Sequence, residues 1–369
     1  VLDLAAHLAT RAEDAGFRVA RYEAGPGKVN VVARAGPPDT DGLVLSGHMD
    51  VVPVEGQDWS SDPFTLTERG DALFARGACD MKGFIAAAVT ALDDIDTAAL
   101  SNELVLVWTC DEELGCVGAE KLVSQMRAAG ERLPRACVIG EPTSFRILRL
   151  HPGHCTWRIL VTGRAAHSGR PSLGASAIRA AGRVLQALDG LAESLSRDRA
   201  FDADLPTPHA TLNVGTIRGG TAVNIVPDRC ELIVGVRQLP GQSIDAVEGQ
   251  LLARMAEVDA AVAPRGCRVR VERVQATRSM LSPCNCDHLP LLTPWASDPV
   301  PTGAPFATDG GALAEMGVES LIFGPGSIDV AHRADEHVPT AELHRAVDVV
   351  RDLVARRCVA TPSTPVTAR

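Results

Sequence analysis

The stretch Leu43-Val44-Leu45-Ser46-Gly47-His48-Met49-Asp50 decides how this chain is read. Three apolar residues predict a buried strand. The chain then turns polar, and His48 and Asp50 fall on one side of the backbone if strand geometry persists. A metal-bound imidazole usually has its second ring nitrogen held by a carboxylate or carbonyl. Asp50 is therefore either that support or a turn residue. Taken alone, His48 reads as a metal ligand or as a strand-end histidine bonded to water or backbone.

The same pattern recurs along the chain. Apolar runs at 104–108, 136–139 and 321–323 predict strands, as do 17–22, 29–33 and the short 73–75. Helical patterns fall at the N-terminus and at 86–92, 120–129, 313–316 and 342–356. Alternating strands and helices predict an α/β layered domain. The character changes near His151-Pro152-Gly153. Strands at 157–162, 211–217, 230–237 and 267–274 alternate with helices at 175–188 and 243–258. That is the β-α-β-β-α-β order of a ferredoxin-like unit. Two domains are thus expected: a discontinuous one of residues 1–151 and 276–369, and an inserted one of 152–275. The polar, proline-containing end, 361–369, is predicted to be disordered.

Bulk properties narrow the class. A chain of 369 residues favours about two domains. The net charge of -10 argues against a nucleic-acid binder. No apolar run approaches the roughly 20 residues that span a bilayer, so no membrane role is expected. The N-terminus lacks the basic start and continuous apolar core of a signal peptide. The ten cysteines include Cys110, Cys137, Cys155 and Cys230 inside apolar runs. Cys284 and Cys286 have no second pair at zinc-finger spacing and read as loop cysteines. Free thiols and a cytoplasmic location are expected.

The chemistry lies in where the acids and histidines fall. His48, Glu112 with Glu113, and Glu141 each stand just past an apolar strand. Asp80 precedes a predicted helix, and His332 lies beyond the loop after 321–323. In open α/β sheets ligands bind outside the carboxyl ends of the strands. Each acid alone reads as a hydrated loop residue; together they predict a metal centre. Histidine nitrogen and carboxylate oxygen suit zinc. Five ligands exceed the three that one catalytic ion needs, so two ions bridged by one carboxylate are expected. Such a pair generates hydroxide near neutral pH and polarises a carbonyl. A spare Glu would carry the proton from water to the leaving amine. Neighbours in an extended segment cannot face the same way, so Glu112 and Glu113 are expected to divide these tasks.

His48-Met49-Asp50, Gly77-Ala78-Cys79-Asp80-Met81-Lys82-Gly83, Asp111-Glu112-Glu113, Gly140-Glu141-Pro142-Thr143 and Ala331-His332 resemble, in order, the signatures of the M20 metallopeptidase family. Gly324-Pro325-Gly326-Ser327, followed by Ala331-His332-Arg333-Ala334-Asp335-Glu336, looks most like its acetylornithine-deacetylase branch. The match spans nearly the whole chain. It implies a mixed-sheet, zinc-exopeptidase-like catalytic domain with an inserted ferredoxin-like lid that also mediates homodimerisation. One zinc ion would be held by His48 and Glu141, the other by Glu113 and His332, with Asp80 bridging; cobalt is a possible substitute. Asp50 would orient His48, Glu112 would be the general base, and the Asp80-Met81 peptide would be cis.

The resemblance also implies that His167 reaches the partner's active site and stabilises the oxyanion; without it, His167 reads as a polar loop residue. Asn224 and Arg237 resemble positions that bind a substrate carboxylate, though a structural salt bridge is the competing reading for Arg237. Gly324 to Ser327 would offer backbone N–H groups to an anion, or form a tight turn only. The implied substrate is a small N-acyl amino acid, foremost N-acetylornithine, cleaved to ornithine and acetate. Succinyl-diaminopimelate desuccinylase, aminoacylase and dipeptidase activities are the neighbouring alternatives, and a non-catalytic binding protein is the alternative from another class. Three departures stand out: Met49 where Thr is common, His151-Pro152-Gly153 for His-Lys-Gly, and Thr308-Asp309-Gly310-Gly311 in a loop that lies near the substrate side chain in the family.

Overall fold

Residues 1–201 and 204–360 are described by the computed structural model; the predicted tail, 361–369, lies outside them. The chain divides into two compact units. One comprises 1–150, 280–303 and 308 onward; the other comprises 151–279 and 304–307. The segment 304–307 thus groups with the second unit, whereas the sequence places it with the first.

The first unit is built on a mixed sheet. Leu43–His48 runs parallel to Leu104–Thr109 on one side and to Ala136–Ile139 on the other, and Glu319–Ile322 continues parallel beyond Ala136–Ile139. The first three of these strands are buried throughout. Continuous apolar runs are what parallel strands covered on both faces require. Arg18–Gly25 and Lys28–Ala35 form an antiparallel hairpin at one flank, and Arg146–His151 pairs antiparallel with Glu319–Ile322 at the other. The helix Gly83–Ala91 is apolar almost all round because it packs between this sheet and the helix Thr340–Cys358. The predicted helix 313–316 is one α-turn, Gly310–Leu313, continued as a 3₁₀ turn, Ala314–Met316, and stopped by Gly317 at φ 79°.

The second unit has a four-stranded antiparallel sheet in the order Thr211–Gly219, Arg229–Arg237, His154–Thr162, Arg268–Thr277. Along His154–Thr162 buried and half-buried residues alternate, so Cys155, Trp157, Ile159 and Val161 face one core. Two helices supply the other side of that core: Ala177–Leu195, capped by the Ser176 hydroxyl, and Ile244–Val262, capped by Ser243. Both outrun the predicted 175–188 and 243–258, since their apolar spacing continues through Leu195 and Val262. All ten cysteines are free, and nine of them are buried. Among the described residues no helix is long and apolar enough to cross a membrane.

One internal tie fixes the turn that carries Glu112 and Glu113. The Asn30 side chain, fully buried, donates to the Gly118 carbonyl at 2.9 Å and accepts from the Cys110 N–H at 2.9 Å. It thereby clamps both ends of the 111–117 turn. Gly118 is required there because a Cβ would fall 1.7 Å from the Cys110 oxygen. Asn30→Ala leaves the buried Cys110 N–H without its acceptor, and such a group costs about 1–3 kcal/mol. Chemical denaturation is expected to show a loss on the order of 2 kcal/mol; a change within error would refute the clamp.

Candidate metal centre

The four parallel strands deliver their polar ends to one edge. His48 ends its strand, the 104–109 strand runs into the turn at Asp111, Glu141 follows Ala136–Ile139, and Glu319–Ile322 leads to the loop that ends at His332. Asp80 enters from beside the sheet, within the irregular turn Ala78–Lys82, and its peptide to Met81 is cis. Two groups of side chains converge there, each within 4.8 Å: His48, Asp80 and Glu141, and Asp80, Glu113 and His332. Asp80 belongs to both. Its Oδ1 lies 2.9 Å from His48 Nε2 and its Oδ2 lies 3.1 Å from His332 Nε2. Glu113 Oε1 lies 3.1 Å from His332 Nε2, and Glu141 Oε1 lies 3.9 Å from His48 Nε2.

The donor set fits metal ions. His48 Nδ1 sits 3.0 Å from the Asp50 carbonyl oxygen. A carbonyl only accepts, so Nδ1 carries the proton and the Nε2 lone pair faces carboxylate oxygens. A lone pair facing acceptors calls for a cation or a second proton between them. With side chains alone, protons fill that role. Burial lowers the His48 imidazole's basicity, but Asp80 and Glu141 reverse this and raise it well above the ordinary range. Asp80 and Glu113 push His332 up to about 10. Burial drives the Glu141 and Glu112 carboxyls well above the usual range, and Asp80 adds to it at Glu141. Burial also raises Asp80, but its two imidazoles outweigh that and hold it below the usual range. Buried carboxylates and histidines that must otherwise hold protons are a divalent cation's ligands.

Asp50 supports His48 with its main chain and not with its carboxylate. The 43–48 strand ends at His48, so strand geometry does not carry through to Asp50. The group nearest His48 Nδ1 is the Asp50 backbone carbonyl; the carboxylate stands off at 3.7 Å. That carboxylate instead accepts the Glu112 N–H at 3.2 Å and the Glu113 N–H at 3.1 Å. One residue thus orients the imidazole with its main chain and the two glutamates with its side chain. The glutamates do part company, within a tight turn and not an extended segment. Glu112 accepts from the Cys116 thiol at 3.4 Å and stays outside both ligand groups, whereas Glu113 meets His332.

Gly324 needs correction as a substrate-binding residue. Its N–H donates to Thr143 Oγ1 at 3.2 Å, and the Gly326 N–H donates to Glu342 at 2.7 Å. A Cβ on Gly324 would fall 2.5 Å from the Gly140 oxygen. Of the two readings of this loop, the tight turn is the one present: it packs beneath Glu141, with those N–H groups already spent. The loop at Thr308-Asp309 is turned inward, both residues being buried.

The sequence did not single out the supports of Asp80. Glu336 Oε1 accepts both the Cys79 and the Asp80 N–H at 2.9 Å. Its other oxygen takes Arg76 at 2.6 Å, in a pair that is almost fully buried. Arg76 donates to Gln57 Oε1 at 2.6 Å, and Gln57 donates to the His332 carbonyl at 2.9 Å. This chain of contacts ties the segments of two ligands together. The signal was present in Ala334-Asp335-Glu336, four residues past His332, but its partners are some 257 positions away in sequence. His167, Asn224 and Arg237 belong to the second unit. His167 pairs with Ile225 across a two-residue ladder, and the Asn224 carbonyl accepts the Ser168 N–H at 2.9 Å. Arg237 ends the 229–237 strand; among the described residues its guanidinium has no ion pair, so the salt-bridge reading has no partner.

Comparison with known proteins agrees with this geometry. Residues 44–356 match the model of peptidase family M20/M25/M40. Acetylornithine deacetylase of Myxococcus xanthus is 38% identical over 354 residues, covering 94% of this chain and 90% of that protein. The enzyme of the same name from Vibrio campbellii is 33% identical, covering 95% and 90%. An M20 family metallo-carboxypeptidase from Sulfolobus solfataricus shares the fold with a TM-score of 0.75 at 17% identity, over 95% of this chain and 93% of that one. A sheet edge that gathers two histidines and their carboxylates around one shared aspartate, and a family match across most of its length, lead to one conclusion: the chain belongs to peptidase family M20/M25/M40 and is a metal-dependent hydrolase of amide bonds.

Proposed function

We propose that this enzyme removes the acyl group from an N-acyl amino acid, with N-acetylornithine as its substrate and ornithine and acetate as products. The observation that carries the reading is Glu112. It is a half-buried carboxylate held beside both ligand groups yet belonging to neither. The name borne by the Myxococcus and Vibrio relatives supports the choice of substrate.

Zinc is the proposed ion, with His48, Asp80 and Glu141 holding one and Asp80, Glu113 and His332 the other; cobalt is the proposed substitute. Bound there, two such ions would polarise the acyl carbonyl and acidify a water. Glu112 takes the proton of the attacking water on a carboxylate oxygen and returns it to the leaving amine. Burial raises its proton affinity, which suits it to hold the proton between the two halves of that transfer. The Asp50 carboxylate keeps Glu112 in place through its backbone N–H. Arg237, a cation without a protein partner among the described residues, and Asn224 are assigned to the substrate's carboxylate.

The second unit is proposed as a lid and dimerisation module. Its outer strand Thr211–Gly219 has an open edge, and Ile217, Val223 and Ile225 nearby are exposed. An open edge and exposed apolar side chains favour association with a second copy. His167 is proposed to stabilise the oxyanion in the partner subunit's centre. The unpaired thiols support a reducing, cytoplasmic setting.

A panel of N-acetyl, N-succinyl and dipeptide substrates, run after chelation and metal add-back, tests the substrate assignment. N-acetylornithine should be turned over fastest, and only with metal restored to two ions per chain; a preferred N-succinyl or dipeptide substrate, or activity without metal, overturns it. Glu112→Gln should keep its metal by elemental analysis while kcat falls roughly 10²–10⁴-fold. Retained turnover would sink the proton-transfer role. His167→Ala should be inactive alone, and mixing it with Glu112→Gln should restore activity through mixed dimers. Failure of that complementation, with dimers present by sedimentation, refutes action across the dimer.

A further inference from the structure

Behind Glu112 lie two side chains, Cys116 and Asp309, that the reaction leaves unused. Glu112, Cys116 and Asp309 present ligand atoms within 4.8 Å of one another, with Cys116 and Asp309 buried. Asp309 is 3% exposed. Its Oδ2 accepts the Thr109 hydroxyl at 2.5 Å, while its Oδ1 is buried without a partner among the described residues. The Cys116 thiol has one proton, and it is directed to Glu112 Oε1 at 3.4 Å. No lysine or arginine among the described residues pairs with Glu112 or Asp309. An orphaned carboxylate oxygen, a second carboxylate and a sulfur therefore face one another within ligand distance.

We propose that Glu112, Cys116 and Asp309 form a third cation site, for a thiophilic divalent ion such as cadmium or surplus zinc, whose occupation silences the enzyme by engaging its proton carrier. The donor set is what distinguishes it from the two neighbouring groups. Those offer only nitrogen and oxygen, whereas here a soft sulfur joins two hard oxygens, a combination that selects zinc and cadmium over magnesium or calcium. The metal–sulfur bond forms as the thiol proton leaves to solvent, and the ion then supplies the positive charge that Asp309 Oδ1 lacks. The site is pre-formed by the backbone. Cys116 sits at φ 60° at the end of the 111–116 turn, where its N–H is bonded to the Glu112 carbonyl at 2.8 Å. Thr109 holds Asp309 from the strand below. The silencing rests on the role of Glu112 proposed above; the occupancy does not.

The test uses full-length enzyme loaded with two equivalents of zinc and titrated with cadmium. Ultraviolet absorbance follows the thiolate-to-cadmium charge-transfer band, elemental analysis follows zinc, and turnover is measured in parallel. One further equivalent should bind with the band appearing, zinc content unchanged and turnover falling about tenfold or more. Cys116→Ser should lose the band, and Asp309→Asn should weaken the binding by about tenfold or more, as removal of a supporting group commonly does. If Cys116→Ser does not fold, Asp309→Asn carries the test alone. Absence of the band in the parent enzyme, a band that persists in Cys116→Ser (the exposed Cys284 being its source), or cadmium that merely displaces zinc overturns the site. A band without inhibition keeps the site and overturns the role of Glu112. No band alongside an inactive Glu112→Gln overturns the third site alone.

Discussion

Like-charge crowding is the constraint on which this structure turns. Asp50, Asp80, Glu112, Glu113, Glu141 and Asp309 meet at one sheet edge, and Asp80, Glu141 and Asp309 are buried, where an uncompensated charge is expensive. Carboxylates this close cannot all ionise without compensation. The protein compensates with fixed donors: backbone N–H groups for Asp50, a hydroxyl for Asp309 and two imidazoles for Asp80. What remains is charge that only protons or metal ions neutralise. The fold around it is a device for keeping acids together: parallel strands that end at one edge, a turn clamped by Asn30, and an ion pair of Arg76 and Glu336 behind Asp80.

That device also explains what could be read in the sequence. Strands buried on both faces appear as unbroken apolar runs, so the polar residue that ends each run stands out. His48, Glu113, Glu141 and His332 were legible for that reason, and Asp80 from its place before a helix. The β-α-β-β-α-β order of the second unit was legible from periodicity alone. Ordered motifs added what periodicity could not: which acid is shared and which stands apart.

The supports were not legible, for a physical reason. Thr109 and Asp309 are 200 positions apart, and Asn30 and Gly118 are 88 apart. Such contacts depend on side-chain direction in the folded chain, which no local pattern encodes. Asp50 shows the limit most clearly. Its proximity to His48 in sequence left a carboxylate or a carbonyl as the support; the strand ends at His48, and the carbonyl makes the contact. Gly324 shows it again: a glycine-rich loop resembles an anion cradle until the partners of its N–H groups are known.

The placement of the second unit within the chain has a consequence for how the centre is made. One ligand group, His48, Asp80 and Glu141, is encoded entirely before that unit begins; the other awaits His332, which follows it. The shared aspartate therefore joins a group encoded before the second unit to one that needs chain from beyond it, and Asp80 itself is held by Glu336 from that later segment, so neither half of the centre is finished by the first 150 residues alone.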